Sequence, residues 1–457
     1  MQNNSRNTAL PLRLLAPVLA GFFIIGFCDM VAPVSAHIAV ECTVPWQRTA
    51  VVFLPSMVFL WFLLLATPVA AAMRRVGRKR VAMAGYGLTF AGLAIPFLAG
   101  RGCAVGWYFV GFGLLGIGNT VLQVAVNPML ACLAPPERMS GYLTVGQIFR
   151  NTSLLLVAPL VTLVSLWFGS WNLLLPLYAV LTLVAAAWMQ LTRIPDSYAD
   201  LVGELPQRAA DGLPASSDAA APSGFSASDR SASERPASER PASSAAPSDA
   251  SDPSMRSVSA AACFRLLRLP LVRIGTLGVA LFIMADVANG FLSARLIPDP
   301  SSLLTSTGYY ACRIVGTLVG ARLLQRMPER RYLRLNLAAA LLLTAALLVV
   351  RDIGAIYACM GLLGFTFAGL FPAFYAVATK GAGREADGAA GLLVMAISAG
   401  ALSGPACGLL IGLAGDAHVG MFFAGACLVG MWLLTRRLPR TCESATGALP
   451  LDNTETA

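Results

Sequence analysis

The chain has 457 residues, 57% of them hydrophobic and only 12% charged, with a formal net charge of +10. That charged share is about half the roughly 25% usual in soluble proteins. A water-soluble fold cannot hide so much apolar surface, so the composition excludes a cytosolic enzyme, a secreted domain and a nucleic-acid binder and points to an integral membrane protein with many spans.

The first apolar run, 14–36, follows a start without a small-residue cleavage site and reads as a retained span. A crossing needs about 20 apolar residues, and eleven further runs qualify. Those at 49–73, 80–100, 105–130, 142–165 and 172–192 complete the first half. Those at 270–294, 303–325, 333–350, 355–379, 388–413 and 419–435 form the second. The expected fold is an all-α membrane protein of twelve transmembrane helices in two six-helix bundles, 1–195 and 263–440. Between them, 196–262 is rich in Ala, Ser, Pro, Asp and Arg and carries SERPASERPAS at 233–243. It holds too little apolar area to offset chain entropy and reads as a disordered linker, as does the tail 441–457.

Basic residues set the orientation. Arg74, Arg75, Arg78, Lys79 and Arg80 follow span 2, and Arg326, Arg330, Arg331 and Arg334 follow span 8. Lys380 and Arg384 follow span 10, and Arg436, Arg437 and Arg440 follow span 12. The opposite loops hold only Arg48, Arg101, Arg295 and Arg351. Both termini and the linker are therefore expected on the cytoplasmic side of a bacterial-type inner membrane. The halves also echo each other, with MRRVGRKR at 73–80 and LQRMPERR at 324–331. Six plus six spans with repeated basic loops match the parallel-repeat plan of major facilitator transporters.

A charge inside the bilayer costs about 3 kcal/mol or more and is a functional candidate by default. Asp29 lies in FFIIGFCDMVAPVSA of span 1 and Asp286 in ALFIMADVANGF of span 7. Arg150 lies in span 5 and Arg313 in span 8. One reading pairs Asp29 with Arg150 and Asp286 with Arg313 as ion pairs that only lock helices together. The other puts these charges on a solute or proton path. Asn119, Gln123 and Asn127 recur every four residues on span 4, one face of a helix, as expected for a cavity wall or an interhelical seam. Gln147 shares a face with Arg150, and Asn289 with Asp286. Converging amides, guanidinia and carboxylates suit a polar solute with several hydroxyls; Arg150 and Arg313 would equally suit an anion.

In span 11, Gly400, Gly404, Gly408 and Gly412 form a small-residue stripe expected to allow close helix contact. Pro33, Pro128, Pro372 and Pro405 are expected to kink their spans. Trp61, Phe371 and Tyr375 are aromatic groups that could stack on a sugar or simply pack. No phosphate-cradling G-x-x-x-x-G-K-[ST] motif occurs. Two histidines, His37 and His418, are too few for a His-based metal site, and no cofactor or enzyme activity is expected. Uphill work would draw on an ion gradient, with Asp29 as the proton carrier.

At these residues the chain resembles the fucose–proton symporter family of major facilitator sugar transporters. The family's span 1 Asp, three apolar residues and Pro appear as Asp29-Met-Val-Ala-Pro33. Its Gly-rich span 4 ending Glu-Thr-Ala-Ala-Asn-Pro appears as GLLGIGNTVLQVAVNPML, with Gln123, Asn127 and Pro128. Its span 5 Ala-Gln-Thr-Phe-Asn-Ser appears as Gly146-Gln147-Ile148-Phe149-Arg150-Asn151. LVMAISAGALSGPACG is similar to its span 11, and the M-R-R end of span 2 to its M-K-K. The resemblance implies proton coupling at Asp29 and solute binding in the cavity. Gln123 stands where the family has Glu, and Arg150 where it has Asn. The expected function is proton-coupled symport of a sugar or similar small polar solute by a monomer with alternating access. The alternatives are an organic-anion transporter or exporter using Arg150 and Arg313, and a non-transporting sensor whose linker engages a partner.

Overall fold

The computed structural model describes residues 12–51, 53–100, 105–135, 138–194, 260–296 and 302–439. The expected disordered segments 196–262 and 441–457 lie outside them, except that 260–262 open a short helix instead. Every regular element among the described residues is helical. In the first half these are α1 (Leu12–Ile25), a 3-10 turn (Gly26–Met30), α2 (Val31–Glu41), α3 (Pro45–Val51), α4 (Leu54–Val76), α5 (Arg78–Ala99), α6 (Val105–Leu133), α7 (Met139–Phe168), a 3-10 turn (Trp171–Leu173) and α8 (Leu174–Leu191). The second half has α9 (Ala260–Arg265), α10 (Pro270–Leu296), α11 (Ser302–Leu324), α12 (Glu329–Val349), α13 (Ile353–Phe367), α14 (Leu370–Ala382), α15 (Ala386–Ala396), a 3-10 turn (Ile397–Leu402), α16 (Ser403–Ala414) and α17 (Met421–Arg436).

Each expected span falls on one or more of these helices. By length and composition, ten stretches among the described residues can cross a membrane. The difference from twelve has two causes. Tyr309, Tyr310, Arg313 and Arg322 make α11 too polar to qualify. The run Ile353–Ala414 counts as one stretch although it holds four helices.

Three helical breaks share one chemical cause. A proline has no N–H for the carbonyl four residues earlier and crowds it. Pro33 denies this bond to Asp29, Pro372 to Ala368 and Pro405 to Ala401. Asp29 lies in the 3-10 turn Gly26–Met30, Ala368 in the gap between α13 and α14, and Ala401 in the 3-10 turn Ile397–Leu402. Pro128 behaves differently, because α6 runs unbroken through it.

Small residues bring backbones together. A Cβ on Gly92 would stand 2.4 Å from the Leu115 nitrogen, so α5 and α6 touch main chain to main chain. Of the four glycines expected to form a seam on span 11, the surroundings of Gly404 lie outside what is described, and the other three do not pack alike. Gly400 packs on Phe59, Ile283 and Val287, but a Cβ on Gly408 or Gly412 would meet nothing. The 3-10 turn breaks the four-residue register after Gly400, and the face carrying Gly408 and Gly412 looks away from the other helices.

The two halves meet at the Arg-rich end. Arg74 at the end of α4 pairs with Glu385, and Arg78 at the start of α5 donates to both Asp387 oxygens at 3.0 and 3.2 Å. A Cβ on Gly391 would fall 2.5 Å from the Ala70 Cβ, and one on Gly141 2.6 Å from the Gln325 side chain. Thr379 donates to the Met139 sulfur at 3.4 Å. Lys380 Nζ lies 2.6 Å from Glu329 Oε1, tying the basic segment before α12 to the same end.

Candidate solute and proton site

Asp29 owes its position to the 3-10 turn. That turn presses on α7, where a Cβ on Gly26 would stand 2.6 Å from the Ser153 Cβ and 3.1 Å from the Arg150 carbonyl oxygen. Any larger residue would push the turn away. The close fit brings Asp29 Oδ2 to 3.5 Å from Arg150 Nη2, with the side chains 43% and 18% exposed. Asp29 thus keeps an exposed side chain although its turn is packed tightly on α7. The second pair is tighter. Arg313 Nη1 donates to Asp286 Oδ1 at 2.7 Å and Oδ2 at 2.9 Å. The Tyr309 hydroxyl donates to Oδ1 at 2.6 Å, and the Arg313 guanidinium lies 5.7 Å from the Phe282 ring centroid. Both ion pairs anticipated from the sequence are present. Asn151, next to Arg150, donates to Thr317 at 3.5 Å, joining α7 to α11 across the halves.

The span 4 amides are packed rather than open. Asn119, Gln123 and Asn127 are 4%, 1% and 2% exposed. Asn127 Nδ2 donates to the Gln123 carbonyl at 2.8 Å, along its own helix. Among the described residues Asn119 Oδ1, Gln123 Nε2 and Asn127 Oδ1 have no partner, and Asn119 adjoins Cys28, the neighbour of Asp29. Gln147 is buried, and Asn289 is fully buried with neither amide atom partnered among the described residues. An unsatisfied buried polar group costs about 1–3 kcal/mol. Phe371 and Tyr375 are buried, packing on each other and, through Phe371, on Phe282. Trp61 lies against Gly116. The aromatic groups therefore serve packing in this conformation.

Tyr309, Thr317 and Asn151 join the site without having been singled out in the sequence. Tyr309, Arg313 and Thr317 recur every four residues, the same periodicity that marks Asn119, Gln123 and Asn127 on α6. Among the described residues no group of three or more His, Cys, Asp or Glu side chains could hold a metal.

No family model matches the chain. Two curated putative glucose/galactose transporters of Helicobacter pylori, from strains J99 and 26695, are each 27% identical, over 142 and 137 residues. These matches span 30% and 29% of this chain and only about a third, 35% and 33%, of the relatives. The fold comparison reaches further. The E. coli fucose:proton symporter FucP superposes with a TM-score of 0.67 at 17% identity, covering 92% of this chain and 97% of FucP. A second FucP structure, described as a major facilitator transporter in the outward conformation, gives 0.67 at 16% identity with the same coverage. The chain is a multi-span helical membrane protein with the fold of the major facilitator transporters, and it resembles the fucose:proton symporter in particular.

Proposed function

We propose that the chain is a proton-coupled symporter of a sugar or similar small hydroxylated solute, built from two six-helix bundles of twelve spans that alternate access around a central site. The observation that carries this reading is the half-open Asp29 carboxylate, loosely paired with Arg150. In this conformation the Arg-rich end is shut, and we assign that end to the cytoplasm of a bacterial-type inner membrane from the positive-inside rule. Asp29 then faces the outside medium and takes a proton. Neutral Asp29 releases Arg150, whose guanidinium is free to donate to a solute hydroxyl. The amide atoms of Asn119, Gln123, Asn127 and Asn289 left without a partner among the described residues, with Gln147, supply further donors and acceptors when the helices close on the solute. Asp286, Arg313 and Tyr309 hold the opposite wall. The names of the relatives and the fold neighbour support a sugar as cargo.

A second reading has one observation in its favour. Arg150 is held by a single contact of 3.5 Å, so a carboxylate solute could take it from Asp29. Arg313 is already committed to Asp286, so an anion clamp would rest on Arg150 alone. The test is uptake of labelled fucose, galactose, glucose and small organic acids into vesicles with an imposed pH gradient. A sugar symporter accumulates one of the sugars only under an inward proton gradient. Accumulation of an acid instead, abolished by Arg150→Gln, would favour the second reading.

A further inference from the structure

On the second half, three side chains converge on the outward surface of α12 and α17 at the Arg-rich end. The Arg436 guanidinium lies 4.4 Å from the Trp432 ring centroid, and that of Arg334 5.8 Å from it. Both arginines are exposed, and among the described residues neither has an acidic partner. The indole attracts each cation but neutralises neither, and two like charges on one ring repel each other. From this head an apolar track leads away along both helices. Arg334 and Leu342 share a face of α12 at eight-residue spacing, with Leu335 beside them; Val429 and Leu433 share one of α17 with Arg436. All four of these apolar residues are exposed, Leu342 by 73%. The helices are neighbours, α12 beginning and α17 ending at the basic end, so both tracks run toward the bilayer interior.

We infer that α12 and α17 form a binding site for an anionic phospholipid. Its phosphate is held between Arg334 and Arg436, with Trp432 at headgroup level and an acyl chain along Leu335, Leu342, Val429 and Leu433. A phosphate supplies the missing negative charge, and the indole beside it suits the membrane interface. The inference is independent of what the protein transports.

The test uses the full chain purified in detergent and native mass spectrometry. Titration with dioleoylphosphatidylglycerol should show at least about tenfold tighter retention than with dioleoylphosphatidylcholine, as two basic residues near a surface allow. Arg334→Gln with Arg436→Gln should cut that preference to about twofold or less, whereas Arg326→Gln with Arg331→Gln, the same charge loss at the same end, should leave it intact. Trp432→Leu, which removes the platform but no charge, should lower it by about threefold; this variant decides the matter should the double variant fail to fold. No preference in the wild-type chain, or equal loss in both double variants, would overturn the site. Sodium phosphate alone is the third arm. Stabilisation by it that depends on Arg334 and Arg436, without selectivity for the lipid, would assign the site to free phosphate and overturn the lipid.

Discussion

Arg150 reaches Asp29 through a single contact of 3.5 Å, and the carboxylate keeps 43% of its side-chain surface open. A separation of that length is at the limit of a hydrogen bond. Arg313 and Asp286, by contrast, hold each other by two contacts under 3 Å, with Tyr309 on the same carboxylate. The two pairs have the same chemistry and different mechanical roles. The first can part and re-form during a cycle; the second braces α10 against α11.

That difference predicts unequal effects on stability. Arg313→Gln strands a carboxylate among buried side chains and should lower stability by about 3–5 kcal/mol, as removing one partner of a buried pair does. Adding Asp286→Asn should recover much of the loss. Asp29→Asn should shift the melting temperature much less, since it breaks one loose contact of a half-exposed carboxylate. Thermal melts of the purified variants in one detergent decide this; equal losses at both pairs would erase the distinction.

The closure at the Arg-rich end rests on Arg78–Asp387 and Arg74–Glu385. Asp387→Arg places like charges against each other and should open that end. Thr144, fully buried beside Gly320 of the other half, reports the opening. Labelling of Thr144→Cys by a hydrophilic maleimide should rise in the Asp387→Arg background and fall again when Arg78→Asp restores opposite charges. Unchanged labelling would mean that these pairs do not hold the end shut.

Asn289 separates cargo binding from packing. Its amide is fully buried and has no partner among the described residues, so Asn289→Leu removes an unsatisfied group at little change in volume and should keep or raise the melting temperature. If the amide meets the solute during the cycle, uptake should nonetheless collapse. Normal uptake in a stable Asn289→Leu protein would remove this residue from the binding set.

Much of this arrangement is legible in the chain. Apolar runs place the helices, because a bilayer leaves few alternatives to a helix of that length. The rarity of charge in those runs brings Asp29, Arg150, Asp286 and Arg313 forward, and the proline four residues after Asp29 accounts for the 3-10 turn that carries it. What is not legible depends on which way a helix face turns. The glycines of span 11 and the amides of span 4 have equally regular spacing. Gly408 and Gly412 nevertheless look into open space while Asn119, Gln123 and Asn127 are packed away. Tyr309 and Thr317 escape notice because hydroxyl groups are common in spans and only the Arg313 between them is costly.

At the end opposite the basic loops, the Asp416 carboxyl is held below its ordinary range by the His418 backbone N–H, with Arg351 adding to the effect. A depressed folded pKa means a contribution present above the unfolded value of about 3.9 and lost as pH falls through the lower folded value. Melting temperatures taken from about pH 5 to about pH 3 should therefore fall more steeply for the wild-type chain than for Asp416→Asn. Parallel curves would show that this cap adds no acid sensitivity.

The most direct measurement of the central claim is proton movement itself. Right-side-out vesicles in weakly buffered medium receive a pulse of the transported sugar, and a pH electrode follows the outside. Alkalinisation in the wild-type chain, absent in Asp29→Asn while that variant still exchanges labelled for unlabelled sugar, is the predicted result. Alkalinisation that persists in Asp29→Asn would contradict it.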